Sequence, residues 1–311
     1  MTRKLSDFCE AARGRSFFVS AWHARSGQWA RRRLAHITRH DVQDQIKRWA
    51  RRSPISANRQ LAYAKAFFNW CMSEGILETS PAAVLRKPAP ERTRDRYHSL
   101  QELANIWQAA DTLGYPFGPL YRLLIVLPMR REEIAGLRLA ELHLDDEEPA
   151  WILPSERTKR VNALRVPLLQ LVRSIIKTAT RDADRPKKSE YVFTTTGETP
   201  VSGFAKAKRR LDAAIDDLRQ KAAAEEWREV EPMLPWTIHD LRTSFNTMAC
   251  ERLKIDAHVV DRILNHVAAD TTSKIMRVYN RSELFDERKH ALRLWEHLLK
   301  TNVITKDKLG V

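Results

Sequence analysis

Cysteine is nearly absent: Cys9, Cys71 and Cys250 are the three in 311 residues. Odd in number and far apart, they exclude a disulfide framework and lack the paired spacing of a zinc site, and they fit a reducing compartment. Glycine is scarce too, with 9 residues, none arranged as the phosphate-cradling loop that a helicase or ATPase requires. No apolar run approaches the roughly 20 residues of a membrane-spanning helix. The first twenty residues lack the apolar core of a signal peptide. Internal repeats and low-complexity tracts are missing as well. The expectation is a soluble cytoplasmic protein with no cofactor, no bound metal and no membrane partner, and 43% hydrophobic content is enough for real cores.

Acidic residues are outnumbered. Against 39 Asp plus Glu stand 54 Lys plus Arg, a formal charge of +15. Such a surface carries a positive field that draws polyanions, nucleic acid first among them. The excess is concentrated early: residues 1–89 hold 17 basic against 6 acidic residues.

Helical periodicity dominates what remains. In "ITRHDVQDQIKRWARR" Thr38 and Asp41 have the spacing of a capping box, with Val42, Ile46 and Trp49 on one face, which predicts a helix over 39–52. "SANRQLAYAKAFFNWCMSEG" predicts a second, with Leu61, Ala64, Phe68 and Cys71 as its stripe and Gly75 as its stop. "RKPAPERTRDRYHS" combines two prolines with a run of arginines and few apolar residues, and reads as an extended basic linker. Ser99 and Glu102 then open another capped helix. An apolar helix around "LYRLLIVL" and a short charged one in "RREEIAGLRLA" follow. β-type runs at 150–153 and 163–168 flank a polar turn, predicting a hairpin, and helices are expected near 169–180, 202–222, 238–252 and 256–264. The fold class is mainly α with a small β-hairpin. Its divisions are a helical domain at 1–88, a linker at 89–98, a second domain at 99–300 and a tail at 301–311.

Six polar residues stand out: Arg130 in "LPMRREEIAGL", Lys159 in the hairpin turn, His239 and Arg242 in "HDLR", His266 in "LNH", and Tyr279 in "IMRVYNRSELF". Positions i and i+3 share a helix face, so His239 and Arg242 present an imidazole beside a guanidinium. Singly, each of the six has an ordinary reading: solvated arginines, a turn lysine, satisfied histidines, a packed tyrosine ring. Their order is far more specific than any one of them. The set closely resembles the tyrosine recombinase, or phage integrase, family, and "NHVAADTTSKIMRVYNRSELFDERKHALRLWEHLL" looks like the integrases of satellite phages and genomic islands. The resemblance runs over residues 36–300. It departs in "LPMR", where proline and leucine stand for the family's glycine and threonine, and in the thirteen-position interval from His266 to Tyr279.

The resemblance implies a helical core-binding domain followed by the recombinase catalytic domain, and a site-specific DNA recombinase acting for a mobile element in a bacterial cytoplasm, at the nucleoid. Arg130 and Arg242 would clamp the scissile phosphate, a task suited to bidentate guanidiniums without a metal. His239 would be the base for Tyr279, whose hydroxyl, with an intrinsic pKa near 10, needs help to attack phosphorus. Lys159 would protonate the departing 5′-oxygen, and His266 would bond the phosphate. In the first domain Arg51, Arg52, Arg59 and Lys65 are candidate contacts to phosphates of double-stranded DNA, which give affinity rather than sequence choice. Partners implied are duplex DNA, further copies forming a tetramer on it, and accessory DNA-bending proteins. Relatives of this type carry an arm-binding domain ahead of this region, for which the chain leaves no room. After Tyr279, Leu284, Leu292, Trp295 and Leu299 form an apolar helix face, to be packed on its own domain or on a neighbouring protomer. Two other readings share these features: a catalytically silent DNA-binding accessory protein of the same fold, and a type IB topoisomerase-like enzyme.

Overall fold

Thr38 opens the first helix, α1 (Arg39–Arg52), through the expected capping box: the Asp41 backbone N–H donates to Thr38 Oγ1 at 3.2 Å and the Thr38 N–H to Asp41 Oδ2 at 2.8 Å. Arg32 bonds the same carboxylate at 2.8 Å and, with the Thr38 donors, holds its pKa well below the usual range. Pro54 starts α2 (Pro54–Ser73), a position where its missing N–H costs nothing. The Leu61, Ala64, Phe68 and Cys71 stripe is buried against Val42 and Ile46 of α1. Gly75 stops α2 at φ +67°, a left-handed turn in which the Ile76 N–H reaches back to Cys71 O.

The computed structural model describes residues 29, 32–91, 95–157, 163–225, 233–265 and 284–304. The chain divides into two compact units, Met1–Arg94 and Asp95–Val311. The stretch read as a basic linker is anchored at both ends. Asn58, buried on α2, donates to Ala89 O at 2.8 Å and accepts from the Ala89 N–H at 3.1 Å, which fixes the proline-bearing strand to the first unit. His98 is wholly buried in the second unit, where its backbone N–H donates to Ser244 Oγ at 2.8 Å.

The second unit begins with α3 (Leu100–Asp111), capped by Ser99 and Glu102 as expected. It is built around α4 (Phe117–Val126), whose Leu120, Tyr121, Leu123 and Ile125 lie at the centre of the core. The short charged α5 (Arg131–Ala135) follows. The hairpin appears as β2 (Ala150–Leu153) and β3 (Leu164–Pro167), antiparallel with Trp151 opposite Val166. A two-residue strand, β1 (Leu142–His143), pairs with β2 to make the order β1-β2-β3, and is too short for any periodicity to announce. Helices α6 (Gln170–Arg181), α7 (Phe204–Glu225), α8 (Ile238–Glu251) and α9 (Ala257–Ile263) match the expected positions closely.

The last helix, α10 (Phe285–Asn302), resolves the question of its apolar face. Leu292, Trp295 and Leu299 are buried in their own unit, while Leu284 is half-buried at the helix start. Trp295 Nε1–H donates to Ile125 O of α4 at 3.0 Å, and its ring meets Phe245 edge-on at 5.4 Å. Burying a tryptophan with its N–H satisfied contributes a few kcal/mol, roughly 25 cal/mol per Å² of ring area. That face is therefore occupied within the unit and is not a docking surface for a neighbour. Among the described residues no helix is long and apolar enough to cross a membrane, and none of them form a cluster of three or more metal-ligating side chains.

Candidate active site

A cleft of about 910 Å³ opens on the second unit, lined by Arg130, Glu133, Arg157, Lys208, His239 and Arg242 among others. Arg130 sits at the N-cap of α5, extended at φ −69° and ψ 145°, and Glu133 three residues on folds back to it. One Glu133 oxygen accepts the Arg130 backbone N–H and the other the Arg130 Nη1–H, both at 2.9 Å. Glu133 is buried, so this ion pair is screened little. The proline in "LPMR" is used: Pro128 O accepts from Arg242 Nη1 at 2.7 Å.

Arg242 comes from α8, one turn after its N-terminus, where Thr237 and Asp240 form another capping box. Its guanidinium is buried and also donates through Nη2 to Leu264 O, while Arg130 Nη2 donates to the next carbonyl, Asn265 O, at 3.2 Å. Two arginines from distant parts of the chain therefore sit on consecutive carbonyls at the C-terminus of α9, the negative end of its dipole. Asn265 takes φ +46° there, a left-handed position that asparagine tolerates better than most residues. Burial, reinforced by the like charge of Arg130 and opposed by Glu133, pushes the Arg242 pKa down to about 10. Each guanidinium has five N–H donors, and among the described residues these bonds use two of each, so both retain donors for a phosphate oxygen.

His239 lies on the cleft wall in the first turn of α8. Desolvation, with the charge of Arg242 and to a smaller extent that of Arg130, lowers its pKa below the ordinary 6.5, against the opposing pull of Asp240. That shift favours the neutral imidazole, the form that accepts a proton.

Lys159, His266 and Tyr279 lie outside the described residues. Their flanks are fixed. Arg157, two residues before Lys159, pairs with Glu141 and donates to Glu133 O at 3.3 Å. Beyond Lys159 in sequence, Arg165 of β3 stacks over Phe285 at 4.0 Å, and Arg288 of α10 donates to Arg165 O at 2.8 Å. His266 follows Asn265 directly, and α10 begins beyond the Tyr279 segment.

Sequence reasoning missed the far wall, where Lys208 lies 3.8 Å from the Trp236 ring centroid and is held by Asp212 at 2.6 Å. It also missed the support beneath α8. His98 Nδ1 meets Ser244 Oγ at 2.9 Å, its ring stands edge-on to Trp236 at 4.9 Å, and burial drives its pKa down to about 4. No local pattern announces such long-range partners. Asn265 did carry a signal, as an asparagine just past a helix end.

On the first unit Arg51, Arg52 and Arg59 are exposed and Lys65 is half-buried. A groove of about 470 Å³ on that unit is instead lined by Arg39, Lys47 and Arg86 around Ile46 and Leu85, and by none of those four.

Residues 97–282 match the family described as the phage integrase family, and the chain belongs to it. It is 23% identical over 225 residues to tyrosine recombinase XerD of Listeria innocua, covering 71% of each protein. Over 95 residues it is 30% identical to tyrosine recombinase XerC of Xanthomonas campestris, 30% of each. In structure it is similar to a lambda integrase tetramer bound to a Holliday junction, with TM-score 0.62 and 16% identity over 87% of this chain and 78% of that one. It is also similar to the Tn1549 transposon integrase in complex with transposon right end DNA, with TM-score 0.59 and 12% identity over 94% and 99%. At these identities the structural likeness concerns the fold.

Proposed function

We propose that this chain is a site-specific DNA recombinase that cuts and rejoins duplex DNA through a 3′-phosphotyrosyl intermediate, for integration or excision of a mobile element. The observation that carries the reading is the seating of Arg130 and Arg242 on the adjacent carbonyls of Asn265 and Leu264, in one cleft with His239. Two guanidiniums held together against their mutual repulsion are poised for an anion that gains charge. A phosphodiester under in-line attack does so.

In the proposed reaction His239 takes the proton of the Tyr279 hydroxyl as its oxygen attacks phosphorus. Arg130 and Arg242 hold the non-bridging oxygens, with His266 as a further donor. The P–O5′ bond breaks, its electron pair passes to O5′, and Lys159 supplies the proton that makes the 5′-hydroxyl. The phosphodiester energy is conserved in the tyrosyl ester, so religation needs no nucleotide cofactor. The basic first unit supplies phosphate contacts through Arg51, Arg52, Arg59 and Lys65, joined by Arg39, Lys47 and Arg86 of its groove. The lambda integrase relative is a tetramer on a Holliday junction, and the same assembly is proposed here, on DNA that accessory proteins bend.

A nicked suicide duplex carrying the recombination site tests the reading. The wild-type chain should form a covalent adduct, and Tyr279→Phe should bind the duplex without forming one. An adduct that persists in Tyr279→Phe overturns the nucleophile. Binding by the wild type with no adduct favours the silent accessory protein.

A further inference from the structure

Lys208 stands on the far wall of the cleft, on a helix that no step of the proposed reaction uses. It borders the same space as Arg130, His239 and Arg242, with its Nζ 3.8 Å from the centroid of the Trp236 ring. Asp212, one turn on, accepts from Nζ through both carboxylate oxygens, one of them at 2.6 Å. Among the described residues, Lys208 lines the cleft and Asp212 does not.

Helix stability does not account for a lysine at this position. Lys206, Lys208, Arg209 and Arg210 crowd the first two turns of α7 while Asp212, Asp216 and Asp217 come after them, the reverse of the order that the helix dipole favours. A lysine four residues ahead of its acidic partner is also the weaker orientation of such a pair. The ammonium is nonetheless drawn in, its side chain 17% exposed against 43% for Asp212. Trp236 accounts for that seat, because a ring face attracts a cation whatever carboxylate or phosphate it also bonds. Since Asp212 is well exposed, water can solvate its carboxylate once the lysine leaves it, and an ion pair of this kind costs little to exchange. A phosphodiester offers the ammonium another charge-assisted partner, on the cleft side.

We propose that Lys208 is a DNA-phosphate contact that Asp212 holds in reserve: as duplex fills the cleft, the ammonium keeps its place on Trp236 and exchanges the carboxylate for a backbone phosphate other than the one that Arg130 and Arg242 clamp. The proposal rests on the reading of the cleft as a DNA site. The exchange moves no proton and breaks no covalent bond. A carboxylate that must be displaced lowers the affinity for every duplex, so Asp212 sets how tightly this contact grips.

Binding of the full chain to an intact duplex carrying the recombination site, followed against salt, tests this without calling on Tyr279. Lys208→Met should weaken binding and lower the salt slope by about 0.9, the share of one phosphate, whereas Lys208→Arg should keep the slope. Asp212→Asn should tighten binding by roughly twofold to fivefold, the range set by a partly exposed ion pair. That gain should vanish in the double variant with Lys208→Met; a gain that persists there is a general effect of charge and overturns the proposal. Duplexes carrying one neutral methylphosphonate each locate the contact: one position should cost the wild type affinity and cost Lys208→Met nothing. If Lys208→Met leaves the slope unchanged, if the Lys208→Met and Asp212→Asn variants shift binding in the same direction, or if no phosphate position distinguishes Lys208→Met from the wild type, Lys208 only staples α7 and the inference falls. A wild type that does not bind overturns the DNA reading and this proposal together, whereas loss of the Lys208 effects with binding intact overturns this proposal alone.

Discussion

Glu133→Gln isolates the electrostatics on which the cleft depends. The carboxylate is buried, accepts two bonds from Arg130 at 2.9 Å, and opposes the downward push on the Arg242 pKa. Glutamine keeps its shape and one acceptor. It removes the negative charge and turns an N–H toward one of the two Arg130 donors. At about 4 Å between charge centres and an effective dielectric near 20, the lost attraction is roughly 4 kcal/mol. Some of it is offset because the glutamate no longer has to be desolvated, so a net loss of about 3 kcal/mol is expected, in line with breaking other buried pairs. For a unit of this size that lowers the melting temperature by roughly 6–12 °C in calorimetry. Inorganic phosphate provides the discriminating arm. With the carboxylate gone the two guanidiniums form a more cationic site, so phosphate should bind the variant more tightly and raise its melting temperature more than that of the wild type. A loss under about 1 kcal/mol, or a deficit that phosphate leaves unchanged, would refute the view that Glu133 balances the arginine pair.

The remaining expectations concern pH, the clamp and the first unit. In the proposed reaction a neutral His239 takes the tyrosine proton, and its pKa is lowered from 6.5, so the acidic limb of the cleavage rate should fall below pH 6.5; a limb above that value would remove His239 as the base. His98 has its folded pKa lowered from 6.5 to about 4, so below pH 6.5 the unfolded chain binds a proton that the folded one does not. The stability involved is fully present above pH 6.5, about 2 kcal/mol lower by pH 5, and lost no further below pH 4; His98→Gln should flatten that part of the pH–stability curve, and an unchanged curve would contradict it. Arg130→Ala and Arg242→Ala should each slow adduct formation by ~10² or more, and near-normal rates would exclude them from the clamp. Alanine at Arg51, Arg52, Arg59 or Lys65 should weaken duplex binding on all sequences and reduce the salt slope by about 0.9 for each phosphate that is no longer neutralised; a slope that stays constant would mark that side chain as merely solvated.

The capped helices from Thr38 onward are legible locally in the chain. Capping boxes at Thr38 and Ser99, the Leu61 to Cys71 stripe and the stop at Gly75 are local devices, each complete within a few residues, so they are legible without a fold. The sequence also supplied the ordered set of polar residues on which the resemblance to the family rests. What those residues touch follows from the folded core. That Arg130 and Arg242 share neighbouring carbonyls at the end of α9, that His98 meets Ser244 of α8, and that the apolar face of α10 packs on α4 are all contacts between segments far apart in the chain. Their free energy comes from burial and from charges brought out of water together, and neither exists until the core has formed.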